Sequence, residues 1–315
     1  MERELLRPIN RTAAEQLSRL PTERPNKTAE NFDLKSSLEI ARIINGQDAE
    51  VAAAVKPALP QIAKGIDVIA GALKKGGRLI YVGAGTSGRI AALDASECPP
   101  TFNTHPRMVQ FVIAGGTKAL HTATEASEDS RVLGRREIAK KKPGKEDVIV
   151  GVAASGRTPF TVAAIEYARE HGAKTIAVTC NPNSPLEKAA QFAIVAEVGP
   201  EVIAGSSRMK AGTAEKMILN MLSTGAMTRL GYVYGNLMIN LHVKNYKLRE
   251  RGLTILEQLA GISRTAAKET LQAAGNDVPV ALVMLQANVS RVQATRALKS
   301  TTGNVRQAIA AARSL

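Results

Sequence analysis

The chain has 315 residues, 44% of them hydrophobic, enough for one large packed domain with or without an appendage. Aromatics make only 3% and Trp is absent, so Ala, Val, Ile and Leu must fill the core, which suits helices laid on a parallel sheet. The net charge is +14; Cys98 and Cys180 are too few for a disulfide framework and fit a reducing cytosol, and no apolar run reaches the ~18 residues of a membrane span.

Residues 1–35 are polar and contain Pro8, Pro21 and Pro25, and read as an N-terminal arm without a core of its own. The first twenty are mixed and charged, unlike a secretory leader. Leu20–Asn26 (LPTERPN) is too irregular for a helix and serves as a linker or as an arm that caps a site. Residues 36–74 carry helical periodicity with breaks near Gly46 and Pro57–Pro60, and Ser36 or Ser37 is placed to cap the first helix.

The chain is organised around Arg78–Pro100. Residues 78–82 are a short buried strand, Gly83–Gly88 (GAGTSG) a turn of small residues, and Arg89–Asp94 the first turns of a helix. A strand that breaks on glycines into a helix aims free backbone N–H groups and the positive end of the helix dipole at one point, with Thr86 and Ser87 adding hydroxyl donors: an anion cradle. Gly83, Gly85 and Gly88 also match G-x-G-x-x-G, but a dinucleotide site wants an acidic residue roughly 20 positions on. No acid lies between Cys98 and Thr124, so the loop reads as a phosphate cradle, with no nicotinamide cofactor called for.

Strand–helix alternation follows. Leu79–Val82, Val109–Ala114, Val148–Ala153, Thr175–Thr179 and Phe192–Ala196 are strand candidates, and Leu120–Ser127, Ser130–Lys140 and Pro159–His171 are helical. These predict an α/β fold with a doubly wound, five-stranded parallel sheet, whose ligands bind at the carboxyl ends of the strands. Ala154–Pro159 (ASGRTP) repeats the design of the first loop: Ser155 and Thr158 can donate to phosphate oxygens and Arg157 can add charge-assisted bonds, the competing role being that the two hydroxyls only cap the next helix. Residues 205–230 (GSSRMKAGTA and onward) begin a long helix that Ser206 or Ser207 would cap. Lys210 in its first turn opposes the dipole and hints at an anion nearby, so Ser206, Ser207 and Lys210 join the substrate-binding candidates.

From Leu253 on the chain is helical, with Pro279–Gln286, Ser290–Ser300 and Asn304–Arg313 short and joined by polar breaks, like a small three-helix module of the ubiquitin-associated type serving packing or an interface. From Arg229 onward there are twelve Lys and Arg against four Asp and Glu, but they stand singly on helical faces with almost no stacking aromatics, so a solvated basic surface is favoured over a nucleic-acid site. The domains are thus 1–35, 36–250 and 251–315.

Two carboxylates can do chemistry at such a site. Glu97 sits in DASECPP, just past the first helix, where Pro99 and Pro100 force an extended exit; Glu128 sits in EASED after the second strand. Both segments return to the carboxyl edge of the sheet, where a pair of carboxyls in different environments can divide acid and base work. The four histidines and two cysteines show no metal-ligand spacing, so no metal is expected; Cys98 reads as a bystander thiol and Asp94 as structural.

The run GAGTSGR…LDASECPPTF, then FVIAGG, the Glu125–Asp129 segment, ASGRTPF and GSSRMKAGTAEKMILN resembles the N-acetylmuramic acid 6-phosphate etherase family of the sugar isomerase (SIS) superfamily, over nearly the whole chain. The resemblance implies a flavodoxin-like SIS domain in a cytoplasmic homodimer, with the site at or near the subunit interface and no cofactor, acting on a sugar phosphate in peptidoglycan recycling. It implies that Glu97 and Glu128 are catalytic, although Ala126-Ser127 stand before Glu128 where the family pattern has Gly-Ala, with Glu125 close by. An aldose–ketose isomerase and a sugar-phosphate-sensing regulator share this fold and stay as alternatives.

Overall fold

Five short runs rich in β-branched residues pair as β1 (Leu79–Gly83), β2 (Val109–Ile113), β3 (Val148–Val152), β4 (Lys174–Thr179) and β5 (Phe192–Val195). The structure, a computed structural model, describes residues 20–122, 125–241, 243 and 246–314. All pairings are parallel and the order is β2-β1-β3-β4-β5. Every residue of β1 and β3 is buried, as expected for strands covered on both faces. Their side chains alternate: Leu79, Tyr81, Val148 and Val150 join one core, and Ile80, Val82 and Ile149 the other.

The first core is closed by α2 (Val51–Val55), α3 (Leu59–Lys74), α4 (Gly85–Phe102) and α9 (Lys210–Leu230). The second is closed by α6 (Arg131–Ala139), α7 (Pro159–Glu170) and α8 (Pro185–Ala189). Chain order reverses between β1 and β3, the point at which ligands bind in doubly wound sheets, and both hydroxyl-bearing loops leave the ends of these two strands.

Ahead of the sheet, α1 (Ser37–Ala49) starts with a capping box in which Ser36 N donates to Glu39 Oε2 at 2.9 Å; the helix runs through Gly46, where a break was expected. A larger departure is α4, which continues through Glu97, Pro99 and Pro100. The prolines remove the donors for the Ala95 and Ser96 carbonyls, a cost of about 3 kcal/mol for each interior proline. Burial of Ala91, Ala92, Ala95, Cys98 and Phe102 on one side holds the helix, and Asn103 ends it at φ 54°. The helix expected over Leu120–Ser127 is instead a 3₁₀ turn, Gly116–Leu120, and a single turn, α5 (Glu125–Glu128); residues 123 and 124 between them lie outside the described set.

Five helices close the chain: α10 (Tyr246–Ala260), α11 (Arg264–Ala273), α12 (Val278–Ala287), α13 (Arg291–Ser300) and α14 (Val305–Arg313). Ser263, Asp277, Ser290 and Asn304 cap the last four. They enclose a separate apolar cluster reaching from Ile239 to Ala312, and α10 spans residue 250. Much of the arm, residues 1–19, and His242 fall outside the described residues. Among the described residues no helix is long and apolar enough to cross a membrane.

Candidate active site

At the end of β1, Ala84 is extended (φ −133°, ψ 160°) and Gly85 turns to φ +51°, a conformation that L side chains rarely adopt. Ala84, at the cap position of α4, has no side chain able to bond the first N–H groups of the helix, which point into the loop as an anion site would require. A Cβ on Gly85 would stand 3.0 Å from Glu128 Oε1, which places the Glu128 carboxylate against the amino end of α4, where the dipole favours negative charge. Arg89 fixes the segment that leads there: Nε donates to the Ala119 carbonyl at 2.9 Å and Nη2 to the Thr122 carbonyl at 3.2 Å.

The loop after β3 has the same plan. Gly156 is at φ +64°, and a Cβ there would fall 2.3 Å from Ser184 Oγ. Ser155 Oγ accepts from Arg157 N at 3.2 Å, and the buried Arg157 Nε has no hydrogen-bond partner among the described residues. Thr158 occupies the cap position of α7, yet its hydroxyl does not bond to the helix. Ser155 and Thr158 therefore do not act as helix caps. α5, with Glu128, packs against α7, so the two loops and Glu128 share the carboxyl edge of the sheet.

Glu97 is elsewhere. It lies twelve residues after Gly85 in the same helix, about 18 Å along the axis at 1.5 Å per residue. It is exposed, in a stripe with Leu93, Ser96 and Pro100, and Leu93 is 53% exposed. The extended exit expected to carry Glu97 back to the loops does not form, because the helix does not stop at the prolines. Within one chain, Glu97 and Glu128 are too far apart to meet on one sugar.

The third candidate segment also differs from expectation. Neither Ser206 nor Ser207 caps α9; Glu201 does, accepting from Lys210 N and Ala211 N, both at 3.0 Å. Lys210 is 2% exposed, and its Nζ donates to Gln47 Oε1 at 2.8 Å in α1. The carboxylate of Glu201 is an anion beside Lys210, as its place in the first turn called for, and the Lys210 amine is engaged by Gln47. Ser206 and Ser207 are half-buried in the turn before α9. The first turn of α9 reaches the first loop, for a Cβ on Gly212 would lie 3.5 Å from Thr86 Cγ2 and 3.6 Å from the Ser207 carbonyl oxygen. The arm closes over the same side: Gly205 N donates to the Thr22 carbonyl at 3.1 Å and Asn181 Nδ2 to Thr22 Oγ1 at 3.3 Å.

Sequence reasoning missed Glu215. It is 1% exposed on α9, Ser87 Oγ stands 2.8 Å from its Oε1, and its buried Oε2 has no partner among the described residues. Burial pushes its carboxyl up to about 8, against the lowering by the Ser87 hydroxyl. The signal was available: Ala211, Ala214, Ile218 and Leu222 form the buried stripe of α9, and Glu215 is an acid set into it. Asp94 is structural as expected, bonded by Tyr81 Oη at 2.8 Å, Asn220 Nδ2 at 2.7 Å and Ser223 Oγ at 3.0 Å. Burial, with the carboxylates of Asp94 and Glu97, pushes the Cys98 thiol up to about 12.

The family model for the glucokinase regulatory protein N-terminal SIS domain matches residues 61–169, and that for the SIS domain matches residues 142–224. An N-acetylmuramic acid 6-phosphate etherase 1 of Bacillus licheniformis is 45% identical over 293 residues, covering 93% of this chain and 96% of that protein. N-acetylmuramic acid 6-phosphate etherases of Klebsiella aerogenes (46%, over 93% of this chain and 98% of that one) and Symbiobacterium thermophilum (54%, over 87% and 91%) are similarly close.

Proposed function

The chain belongs to the N-acetylmuramic acid 6-phosphate etherase family, and from that premise we infer that it cleaves the D-lactyl ether of N-acetylmuramic acid 6-phosphate, giving N-acetylglucosamine 6-phosphate and D-lactate in peptidoglycan recycling. The observation that carries this reading is identity of 45–54% to named etherases across 87–93% of the chain. It does not favour the isomerase or the regulator.

The chemistry explains why carboxylates can suffice. An alkoxide is a poor leaving group, but opening the sugar to its aldehyde acidifies the C2 proton. A base removes that proton, the electron pair forms the C2–C3 double bond, and lactate leaves C3 with a proton from an acid. Water then adds across the double bond, hydroxyl to C3 and proton to C2. The overall step starts as a carbon–oxygen lyase reaction. Glu128, at the amino end of α4, is placed to act as the base at C2, and Glu97 as the acid that protonates lactate. Ser87, Ser155 and Thr158 bind the 6-phosphate, with Thr86 and Arg157 supporting, and binding at that remote group orients the reacting end.

This reading requires two copies of the chain. The separation along α4 keeps Glu97 from the Glu128 of its own chain, whereas the exposed stripe of Leu93, Ser96, Glu97 and Pro100 can present it to a neighbour. The active unit is thus a homodimer, cytoplasmic, with each centre built from Glu128 of one copy and Glu97 of the other. The division into an arm (1–35), a catalytic SIS domain (36–250) and a helical module (251–315) goes with it, the helical core reaching back to Ile239.

The test is incubation with N-acetylmuramic acid 6-phosphate and an enzymatic assay for D-lactate. Absence of D-lactate from folded protein overturns the reading; conversion of a sugar phosphate without lactate release favours the isomerase.

A further inference from the structure

Glu215 plays no part in the reaction outlined above, yet it is a buried acid in direct hydrogen-bond contact with the first loop through Ser87. It lies across α9 from solvent, with Ser87 Oγ 2.8 Å from Oε1 and its second oxygen unpartnered among the described residues. Ser87 is the third residue of α4, in the first turn, where the helix N–H groups converge. A serine hydroxyl has one proton to donate, so the direction of the Ser87–Glu215 bond decides what Ser87 offers an anion. If the carboxyl is protonated it donates to Ser87 Oγ, and the serine proton is left for a phosphoryl oxygen. If it is ionised it can only accept, and it takes that proton.

We propose that Glu215 is a positioning residue which, in its protonated form, donates to Ser87 Oγ and so turns the Ser87 hydroxyl toward the 6-phosphate, while its ionisation withdraws that donor and sets a negative charge behind the phosphate site. This rests on the reading of Ser87 as a phosphate ligand.

The surroundings hold the proton in place. Burial raises the Glu215 carboxyl to about 8. From the end of β4 it faces the Cys180 thiol, which burial and the carboxylates of Glu215 and Glu201 push up well above the usual range. Glu201, before α9, is engaged in capping that helix, and Lys210, five residues earlier on Glu215's own helix, is bonded to Gln47. Among the described residues no cation forms a salt bridge with Glu215. A phosphate dianion bound nearby further disfavours ionisation, so binding and protonation of Glu215 support each other.

The experiment is calorimetric titration with N-acetylglucosamine 6-phosphate from pH 7 to 9.5. For the wild-type protein, affinity falls as pH rises through about 8, approaching ~10-fold per pH unit once Glu215 is ionised in the free protein. Titrations at pH 8.5 in buffers of different ionisation heat show uptake of a fraction of a proton on binding, a readout that needs no variant. Glu215→Gln keeps an N–H donor for Ser87 and has no proton to lose, so its affinity is level from pH 7 to 9 and its proton uptake is nil. A wild-type profile that is level, no proton uptake, or a Glu215→Gln profile that falls like the wild type overturns the proposal. Ser87→Ala separates the two readings: if it binds the 6-phosphate as tightly as wild type, Ser87 is no phosphate ligand and the premise fails. If it binds more weakly while wild type takes up no proton, only the role of Glu215 fails.

Discussion

The spacing of Glu97 and Glu128 can be tested directly by complementation. In the proposed reaction Glu97→Gln and Glu128→Gln would each remove one member of a general acid–base pair, a loss of typically ~10²–10⁴-fold in turnover. Twelve helical residues put Glu97 about 18 Å along α4 from Gly85, against which the Glu128 carboxylate lies. If each centre joins the two glutamates across a two-fold axis, a heterodimer of the two variants has one centre with both glutamates intact and one with both replaced. The two variants are co-expressed with different affinity tags, and the heterodimer is isolated through both. It should release D-lactate at about half the wild-type rate per dimer, while either parent homodimer is nearly inactive. If the catalytic pair lay within one chain, no intact centre would form in the heterodimer. A heterodimer as inactive as its parents, with wild-type protein carrying the same tags fully active, refutes the argument from the helix.

Replacing Ser155 and Thr158 together with Ala should raise KM for the phosphorylated sugar by roughly tenfold or more, since a hydrogen bond to a charged group contributes about 1.5–3 kcal/mol, while weak binding of unphosphorylated N-acetylglucosamine stays as it was. Asp147 accepts from Arg78 Nη2 at 2.6 Å, Arg78 Nε at 3.0 Å, Arg78 N at 2.9 Å and Gly144 N at 3.0 Å, so Asp147→Ala should lower stability by about 2–3 kcal/mol in urea unfolding at pH 7. Burial alone would raise the Asp147 carboxyl, but Arg78 and the Gly144 amide outweigh it and hold it below the usual range. Its contribution is therefore complete above about pH 4 and is lost as pH falls through the depressed native value, so the wild-type and variant curves should converge in acid. Cys98 and Cys180 are buried thiols with raised pKa, and intact-mass measurement after iodoacetamide at pH 8 should find both unmodified until the protein is unfolded.

Legibility divided along the range of the interactions involved. The five strands stand within one residue of where runs such as LIYV and VIVGV put them, and helices with a local start signal, Ser36 with Glu39 or Ser290 with Gln293, begin at that signal. The small-residue turns after β1 and β3 were equally plain, because a glycine at positive φ and a hydroxyl beside it are local requirements. The path of α4 was not, since prolines argue for a stop and only burial of the opposite face against β1, β2 and α9 overrides them.

The parallel sheet, the two glycine- and hydroxyl-bearing loops and the positions of the acidic residues could be read directly from the chain, because each is written in a handful of neighbouring positions. Tertiary structure alone decided how those residues are used. Ser87 meets Glu215 across 128 positions, Gln47 receives Lys210 across 163, and Glu201 takes the cap expected of Ser206 or Ser207. A buried carboxyl owes its proton to the atoms packed around it, and two carboxylates owe their separation to the course of one helix; neither is set by the residues next to them in the chain.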